Sequence, residues 1–208
     1  MSEIGLRERK KRRMYRTVSD TAIRLFLERG FDAVSVAEVA AAAEISKPTL
    51  FRYFPAKEDL VLYRIADHED EAARVAVQGP EPVEALRRHF LDGLRRCDPV
   101  TGLSDDPEVL AFHTLLYGTP ALVARLYGYL ERAEDALAGA LGGGLDARLA
   151  AGQIIAVRRI LAQENWRRIA AGERVDDVRG DAVAAAGRAF EVLAETLPRL
   201  KDRMEDTR

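Results

Sequence analysis

The chain has 208 residues, of which 48% are hydrophobic and 32% are charged, and this balance excludes a generally disordered protein. Its 32 basic and 34 acidic residues give a net charge of −2, so the total charge indicates no particular class of partner. Cys97 is the only cysteine, which excludes an internal disulfide and a metal cluster built on thiolates.

The first sixteen residues are strongly basic. They contain seven basic residues against Glu3 and Glu8, which gives this segment a net charge of +5. Residues 1–60 carry +3 in total, so residues 61–208 carry −5. A basic end on an acidic body indicates binding to a polyanion, although a solvated and partly disordered arm would have the same charge.

Two helices are predicted next in the chain. Apolar residues recur at steps of three and four, which predicts a first helix over about residues 7–29 that ends at Gly30. Ser35 and Glu38 have the spacing of a capping box, in which each side chain accepts a hydrogen bond from the other residue's backbone amide. The second helix should therefore begin directly after Ser35 and be short.

A third helix is delimited by its polar cap and by two prolines. Ser46 is suited to the N-cap position, and Pro48 is tolerated in the first turn because amides there have no partner within the helix. Pro55 disfavours helical backbone at Phe54. We therefore predict that the third helix spans at most residues 47–54.

The rest of the chain is also helical in its pattern. A fourth helix is predicted from near Lys57 to about Gln78, where Gly79-Pro80 ends it. The fold class is therefore all-α, with a three-helix helix-turn-helix head at residues 1–64 joined by the fourth helix to a larger helical body at residues 65–208. Further helices are predicted near 81–96, 107–117, 119–141, 145–171 and 176–203.

The second and third helices, joined by Glu44-Ile45, have the arrangement of a helix-turn-helix. In such a motif the N-terminal residues of the second helix reach base edges in the major groove. The residues at that end are a basic donor, an apolar surface and a hydroxyl: Lys47, Pro48 and Thr49.

The opposite face of this third helix should pack inward. Leu50 and Phe54 are four residues apart, so they lie on one helical face. This arrangement would leave the next positions at the surface, where the basic and hydroxyl groups could donate to phosphates: Phe51, Arg52 and Tyr53.

Lys57 lies where the fourth helix is predicted to begin. A lysine in a first helical turn opposes the helix dipole by ~0.3–1 kcal/mol. A phosphate bound at that helix end would remove the penalty, so Lys57 is predicted to contact DNA. The alternative for any single lysine is simple solvation.

The segment LFLERGFDAVSVAEVAAAAEISKPTLFRYFPAKEDL resembles the N-terminal DNA-binding domain of TetR/AcrR-family transcriptional regulators. The resemblance covers the end of helix 1, the S-V-A-E-V-A start of helix 2, the T-L-F-R-Y-F core of helix 3 and K-E-D-L at the opening of helix 4. It implies a homodimeric repressor that binds a palindromic operator and is released by a small effector in its C-terminal domain.

The family roles transfer to matching positions in this sequence. The resemblance implies base-edge contacts by Lys47, Pro48 and Thr49, and an approach of Ser35 and Val36 to phosphates. The positions that usually touch the DNA backbone are Phe51, Arg52, Tyr53 and Lys57. Phe51 departs from the family, which often has tyrosine there, so one hydroxyl contact is missing.

Family analogy makes the last two long helices a dimer interface. Their apolar residues fit either that interface or the monomer core: Ile154, Val157, Leu161, Val183, Ala186, Phe190, Leu193 and Leu197.

An apolar or amphipathic effector is expected between the middle helices. The candidate lining residues, for which ordinary core packing is the alternative, are Phe90, Phe112, His113, Leu116, Tyr117, Arg159, Gln163 and Trp166.

Other functional classes have less support in the sequence. A small helical enzyme or a protein-binding adaptor with a vestigial helix-turn-helix is the alternative, but no H-E-x-x-H or nucleophile–base pattern occurs. We therefore predict no catalytic residue, no metal and no cofactor. No apolar run approaches the ~18 residues of a membrane span, and no signal sequence is recognised, so a cytoplasmic protein is expected.

Overall fold

The computed structural model describes residues 3–66 and 68–197, and over these residues the chain is helical without any strand. No single helix in this range is long and apolar enough to cross a membrane; the helices Pro107–Gly118 and Pro120–Ala140 meet that requirement only as a pair bent by 96°. The helices are α1 (Glu3–Arg29), α2 (Val36–Ala42), α3 (Lys47–Tyr53), α4 (Asp59–Ala66), α5 (Glu71–Ala76), α6 (Pro82–Arg95), α7 (Pro107–Gly118), α8 (Pro120–Ala140), α9 (Gly144–Ala170) and α10 (Val175–Thr196).

The predicted end of α1 and the predicted starts of α2 and α3 are confirmed by the backbone geometry, whereas α1 begins at Glu3 and not near residue 7. Gly30 has a left-handed φ of 89°, and its amide donates to the Phe26 carbonyl, which ends α1. The capping box is complete, since the Glu38 amide donates to Ser35 Oγ at 3.2 Å and the Ser35 amide donates to Glu38 Oε2 at 2.8 Å. Ser46 Oγ likewise accepts from the Thr49 amide at 3.2 Å and begins α3.

The single helix predicted from Lys57 to Gln78 is wrong, because the structure has α4 and α5 in its place. Glu69 lies between the two helices and Glu71 is the first residue of α5, and both bind arginines elsewhere in the same compact unit. Glu69 accepts a bidentate hydrogen bond from Arg132 at 2.8 and 3.0 Å, and Glu71 accepts from Arg158 at 3.2 Å. These ion pairs stabilise a turn where helical propensity alone predicts continuity.

The later helices agree with the prediction to within a few residues. One short 3-10 helix at Pro99–Thr101 was not predicted. The predicted end of the last helix at residue 203 lies outside the described residues.

The chain forms two compact units. The first combines Met1–Asp67 with Ala111–Gly128, and the second combines His68–Leu110 with Tyr129–Arg208. In the first unit α1 packs on α2 and α4, and α2 packs on α3. The domain boundary predicted at residue 64 stays a prediction.

The second unit has a continuous apolar core in which α10 packs against α6 and α9. The rings of Phe90 and Phe190 lie 6.1 Å apart at its centre. The loop after α6 packs closely on α9, because Asn165 Nδ2 donates to the Thr101 carbonyl at 2.9 Å. Gly102 follows in this loop with a φ of 72°, and a Cβ there would overlap the Ala162 carbonyl oxygen.

We expect Gly102→Ala to lower the free energy of unfolding by about 2–4 kcal/mol, since it combines a strained φ with overlap against a helix backbone. Denaturant unfolding followed by circular dichroism measures the change. Gly139→Ala is the matched control: it lies in α8 with open space around it and should stabilise the chain by up to ~1 kcal/mol. Equal unfolding midpoints for the two variants would contradict the packing of this loop.

Candidate nucleic-acid interface

The turn between α2 and α3 has a defined backbone structure. Glu44 adopts a left-handed φ of 54°, and its amide donates to the Ala41 carbonyl at 3.1 Å. The Ile45 amide donates to the Ala40 carbonyl at 2.9 Å. These two bonds satisfy carbonyls at the end of α2 and direct the chain into α3, as in a helix-turn-helix.

The inner face of α3 is anchored as the sequence predicts. Leu50 is fully buried, and Phe54, which follows the last helical residue, is 2% exposed. A helix of seven residues is not stable in water by itself. The burial of these two side chains, together with the Ser46 cap, therefore determines that α3 forms.

The N-terminal end of α3 presents different chemistry on its outer face. Lys47 and Pro48 are exposed, and Thr49 is half-buried with its hydroxyl oxygen 2.7 Å from Ser46 Oγ. Phe51 is 41% exposed, and the Lys47 ammonium lies 5.9 Å from the centre of its ring. An ammonium, an apolar ring and a threonine methyl group thus lie within two turns of one helix.

Arg52 and Tyr53 act as a pair at the other end of α3. Arg52 donates to the Tyr53 hydroxyl at 3.3 Å, and its guanidinium lies 5.1 Å from the Tyr53 ring centre. The prediction that Tyr53 lies at the surface is only partly right. Tyr53 is half-buried because its ring packs edge-on against Tyr15 at 5.1 Å, in an aromatic cluster that includes Phe54 and Tyr63.

Ser35 and Val36 begin α2 beside a charged carboxylate. Ser35 is exposed and Val36 is half-buried. Hydrogen bonds from the Ser35 amide, from Arg29 and from the Ser35 hydroxyl lower the pKa of Glu38 to about 2. Glu38 is therefore ionised at neutral pH, and its charge is balanced by Arg29 at 2.7 Å.

Lys57 lies in the turn before α4, so the prediction that it opens a helix is wrong. Helix α4 begins two residues later, at Asp59. The Lys57 ammonium donates to the Phe31 carbonyl and lies 4.3 and 5.3 Å from the ring centres of Phe31 and Phe26. Lys57 therefore does not oppose the dipole of α4 from within its first turn, and the argument for a bound phosphate loses that support. A contact of Lys57 with phosphate stays a prediction.

Asp59 and Arg125 form an ion pair that the sequence does not predict. The Asp59 side chain is 6% exposed and accepts from Arg125 Nε at 2.8 Å and from Arg125 Nη2 at 3.0 Å. It also accepts from the Ala56 amide at 3.0 Å. The two residues are 66 positions apart, so no local pattern could connect them.

The residues predicted to line an effector pocket are divided between the two units. In the first unit the His113 ring lies 5.6 Å from Phe112 and 6.0 Å from Tyr117, and burial lowers the His113 pKa to about 4. Leu116 is buried in the same helix. In the second unit Phe90 belongs to the core, whereas three residues on α9 are half-buried: Arg159, Gln163 and Trp166. The pocket itself stays a prediction.

The fold and this surface define an all-helical protein with an N-terminal helix-turn-helix. Residues 19–63 match the family described as bacterial regulatory proteins, tetR family. The transcriptional regulator TcmR of Streptomyces glaucescens is 32% identical over 136 residues, which cover 63% of this chain and 58% of TcmR. The chain thus spans less than two thirds of the length of this curated relative.

Solved structures share the fold at low sequence identity. Native NalD, the secondary repressor of the MexAB-OprM multidrug efflux pump in Pseudomonas aeruginosa, aligns with a TM-score of 0.58 at 16% identity, over 86% of this chain and 96% of NalD. A TetR-family regulator from Streptomyces coelicolor A3 aligns with a TM-score of 0.56 at 22% identity, over 86% of this chain and 95% of that one. Residues 19–63 thus match a tetR-family DNA-binding domain, and the solved structures show that the chain shares their all-helical fold.

We expect Lys57→Met to lower the free energy of unfolding by about 1–2 kcal/mol, because it removes a charge-assisted hydrogen bond and two cation–π contacts. Lys47→Met is the matched control, since Lys47 is exposed and should leave stability unchanged. Urea unfolding compares the two proteins. If Lys57→Met unfolds at the same urea concentration as Lys47→Met, Lys57 does not stabilise the loop after α1.

Proposed function

We propose that the chain is a DNA-binding transcriptional regulator, most simply a repressor, and that it reads a palindromic operator with α3 from each of two protomers. The observation that carries this proposal is the exposed end of α3, a polar and basic surface on a helix that is anchored from behind by Leu50 and Phe54. We also propose that the protein has no enzymatic activity and that it is located in the cytoplasm.

The proposed contacts follow from the position of each side chain on the helix-turn-helix. Lys47, Pro48 and Thr49 lie at the end of α3 that would enter the major groove and contact base edges. Ser35 and Val36 at the start of α2 would approach the phosphate backbone. The proposed backbone contacts on the flank of the motif are Phe51, Arg52, Tyr53 and Lys57.

Arg52 is the strongest candidate for a phosphate contact in this set. Its guanidinium is exposed and is oriented by the Tyr53 hydroxyl and ring. A guanidinium presents several donors in a plane that matches phosphate oxygens. Phe51 lacks a hydroxyl, so Arg52 and Tyr53 would provide more of the backbone contact here.

We further propose that the protein is a homodimer through α9 and α10. The apolar residues first considered for this interface are mostly in the monomer core, since Ile154, Ala186 and Phe190 are buried. Val183, which was among the residues first considered, is exposed on α10, and four other apolar residues on the same helices are also exposed in the single chain: Leu145, Leu149, Ile160 and Val192. Exposed apolar residues recurring along two adjacent helices favour burial against a second copy.

The effector is proposed to be a small apolar or amphipathic molecule bound in the C-terminal part of the chain. The support is the aromatic and apolar character of the α7 residues Phe112, His113, Leu116 and Tyr117. Burial keeps His113 uncharged above pH ~4, so this helix would offer an apolar surface with one neutral polar ring.

We expect specific, salt-dependent binding to a palindrome in the DNA that flanks the gene. Lys47→Ala and Thr49→Ala should each weaken the free energy of binding to that site by ~1–3 kcal/mol if they remove a base contact. Each should also relax the preference for particular bases. Arg52→Ala should instead weaken binding to all DNA sequences. It should also flatten the slope of log affinity against log salt concentration by about one unit. Mobility shifts with heparin competition provide the measurement.

The control for this experiment is Arg88→Ala, which removes an exposed arginine from α6 in the second unit and should leave binding unchanged. If the unmodified chain gives no heparin-resistant complex at moderate salt, the proposed function is wrong. A helical enzyme or a protein-binding adaptor would then be the remaining classes.

We expect Leu149→Glu with Ile160→Glu to convert the dimer to monomers, because two carboxylates would be placed in a desolvated apolar interface. Sedimentation equilibrium measures the mass of the particle. Val77→Glu is the control, since Val77 is equally exposed but follows α5, outside α9 and α10. A double variant that remains dimeric would show that dimerisation uses a different surface.

A further inference from the structure

The first turn of α4 and the turn that precedes it are hydrogen-bonded to three separate parts of the first unit. Ser19 on α1 donates its hydroxyl proton to the Leu60 carbonyl at 2.6 Å. Lys57 connects the preceding turn to the Phe31 carbonyl. Arg125 on α8 binds Asp59 with two parallel hydrogen bonds. The turn from α3 into α4 is thereby attached to three other segments.

The Asp59–Arg125 pair is the most constrained of these contacts. Both carboxylate oxygens accept from the planar guanidinium, so the pair fixes orientation as well as distance. The same carboxylate accepts from the Ala56 amide, which lies only three residues after Tyr53, the last residue of α3. The Asp59 side chain is 6% exposed and that of Arg125 is 44% exposed, so loss of the guanidinium would remove two hydrogen bonds from a buried carboxyl group.

We propose that Arg125 is a positioning residue for DNA recognition: it fixes Asp59, Asp59 fixes the turn at Ala56, and this turn sets the orientation of α3. The inference rests on the proposed function, because it concerns how α3 is presented to an operator. Helix α3 has seven residues and no internal means of keeping its orientation, so both of its ends must be fixed by neighbours. Ser46 caps the N-terminal end, and the Asp59–Arg125 pair orders the turn beyond the C-terminal end.

The test compares specific with non-specific DNA binding as a function of salt. Unmodified protein, Arg125→Ala, Arg125→Lys and Arg24→Ala are titrated with the operator duplex and with a scrambled duplex of the same length. Arg24→Ala is the matched control because it removes an exposed ion pair with Glu28 on α1 of the same unit. Thermal unfolding of each variant measures the folded fraction.

We expect Arg125→Ala to lose on the order of tenfold in operator affinity, with unchanged affinity for the scrambled duplex and an unchanged salt slope. Arg125→Lys keeps the charge without the bidentate geometry. Its operator affinity should lie between that of Arg125→Ala and that of the unmodified protein. Arg24→Ala should match the unmodified protein on both duplexes.

Three results would overturn the positioning role of Arg125. Operator affinity within twofold of the unmodified protein would show that the pair does not orient α3. Equal losses on both duplexes, together with a smaller folded fraction, would assign Arg125 to stability alone. A salt slope flatter by one unit would make Arg125 itself a phosphate contact. The proposed function fails separately, if the unmodified protein does not distinguish the two duplexes.

Discussion

Helix α3 is too short to be stable by itself, and the rest of the first unit is arranged to compensate for this. Isolated helices need about 12–15 residues to form in water, whereas α3 has seven. Its stability therefore comes from the Ser46 cap and from the burial of Leu50 and Phe54 beneath it. The same shortness makes α3 useful, since it leaves one narrow face and one end exposed for recognition.

Several charged residues near α3 have partners within the protein and stabilise the fold. Lys57 and Asp59 are two residues apart and have opposite charges, and both have protein partners. Glu38 is also engaged, by Arg29 and by the capping box. Charged residues that resemble DNA contacts in sequence can therefore serve the scaffold, and only measurements that separate stability from DNA affinity distinguish the two roles.

The local features of the fold could be predicted from sequence, because their causes are local. Gly30, the Ser35–Glu38 box, the Ser46 cap and Pro55 each act on the backbone within a few residues, and the structure has helix boundaries where they indicate. The inward orientation of Leu50 and Phe54 also follows from helical spacing. The break between α4 and α5 could not be predicted this way, since the residues there pair with Arg132 and Arg158, which are distant in sequence.

The same limit applies to the candidate site. Lys47, Pro48 and Arg52 lie on the exposed surface, as expected from their positions on α3. Asp59 and Arg125 were missed because the fold, not the spacing, brings them together. Helical periodicity also could not distinguish core residues from residues available to a dimer interface on α9 and α10. Apolar residues recur with the same spacing whether they are buried within one chain or between two.

Site-specific photo-crosslinking tests most directly whether the exposed face of α3 meets DNA. A benzophenone side chain at Phe51, which is exposed on α3, should crosslink to operator DNA, whereas the same group at exposed Val77 should not. The account predicts that heparin-resistant complexes contain the crosslink only for the first position. Complexes that form normally but crosslink equally at both positions, or only at Val77, would contradict it.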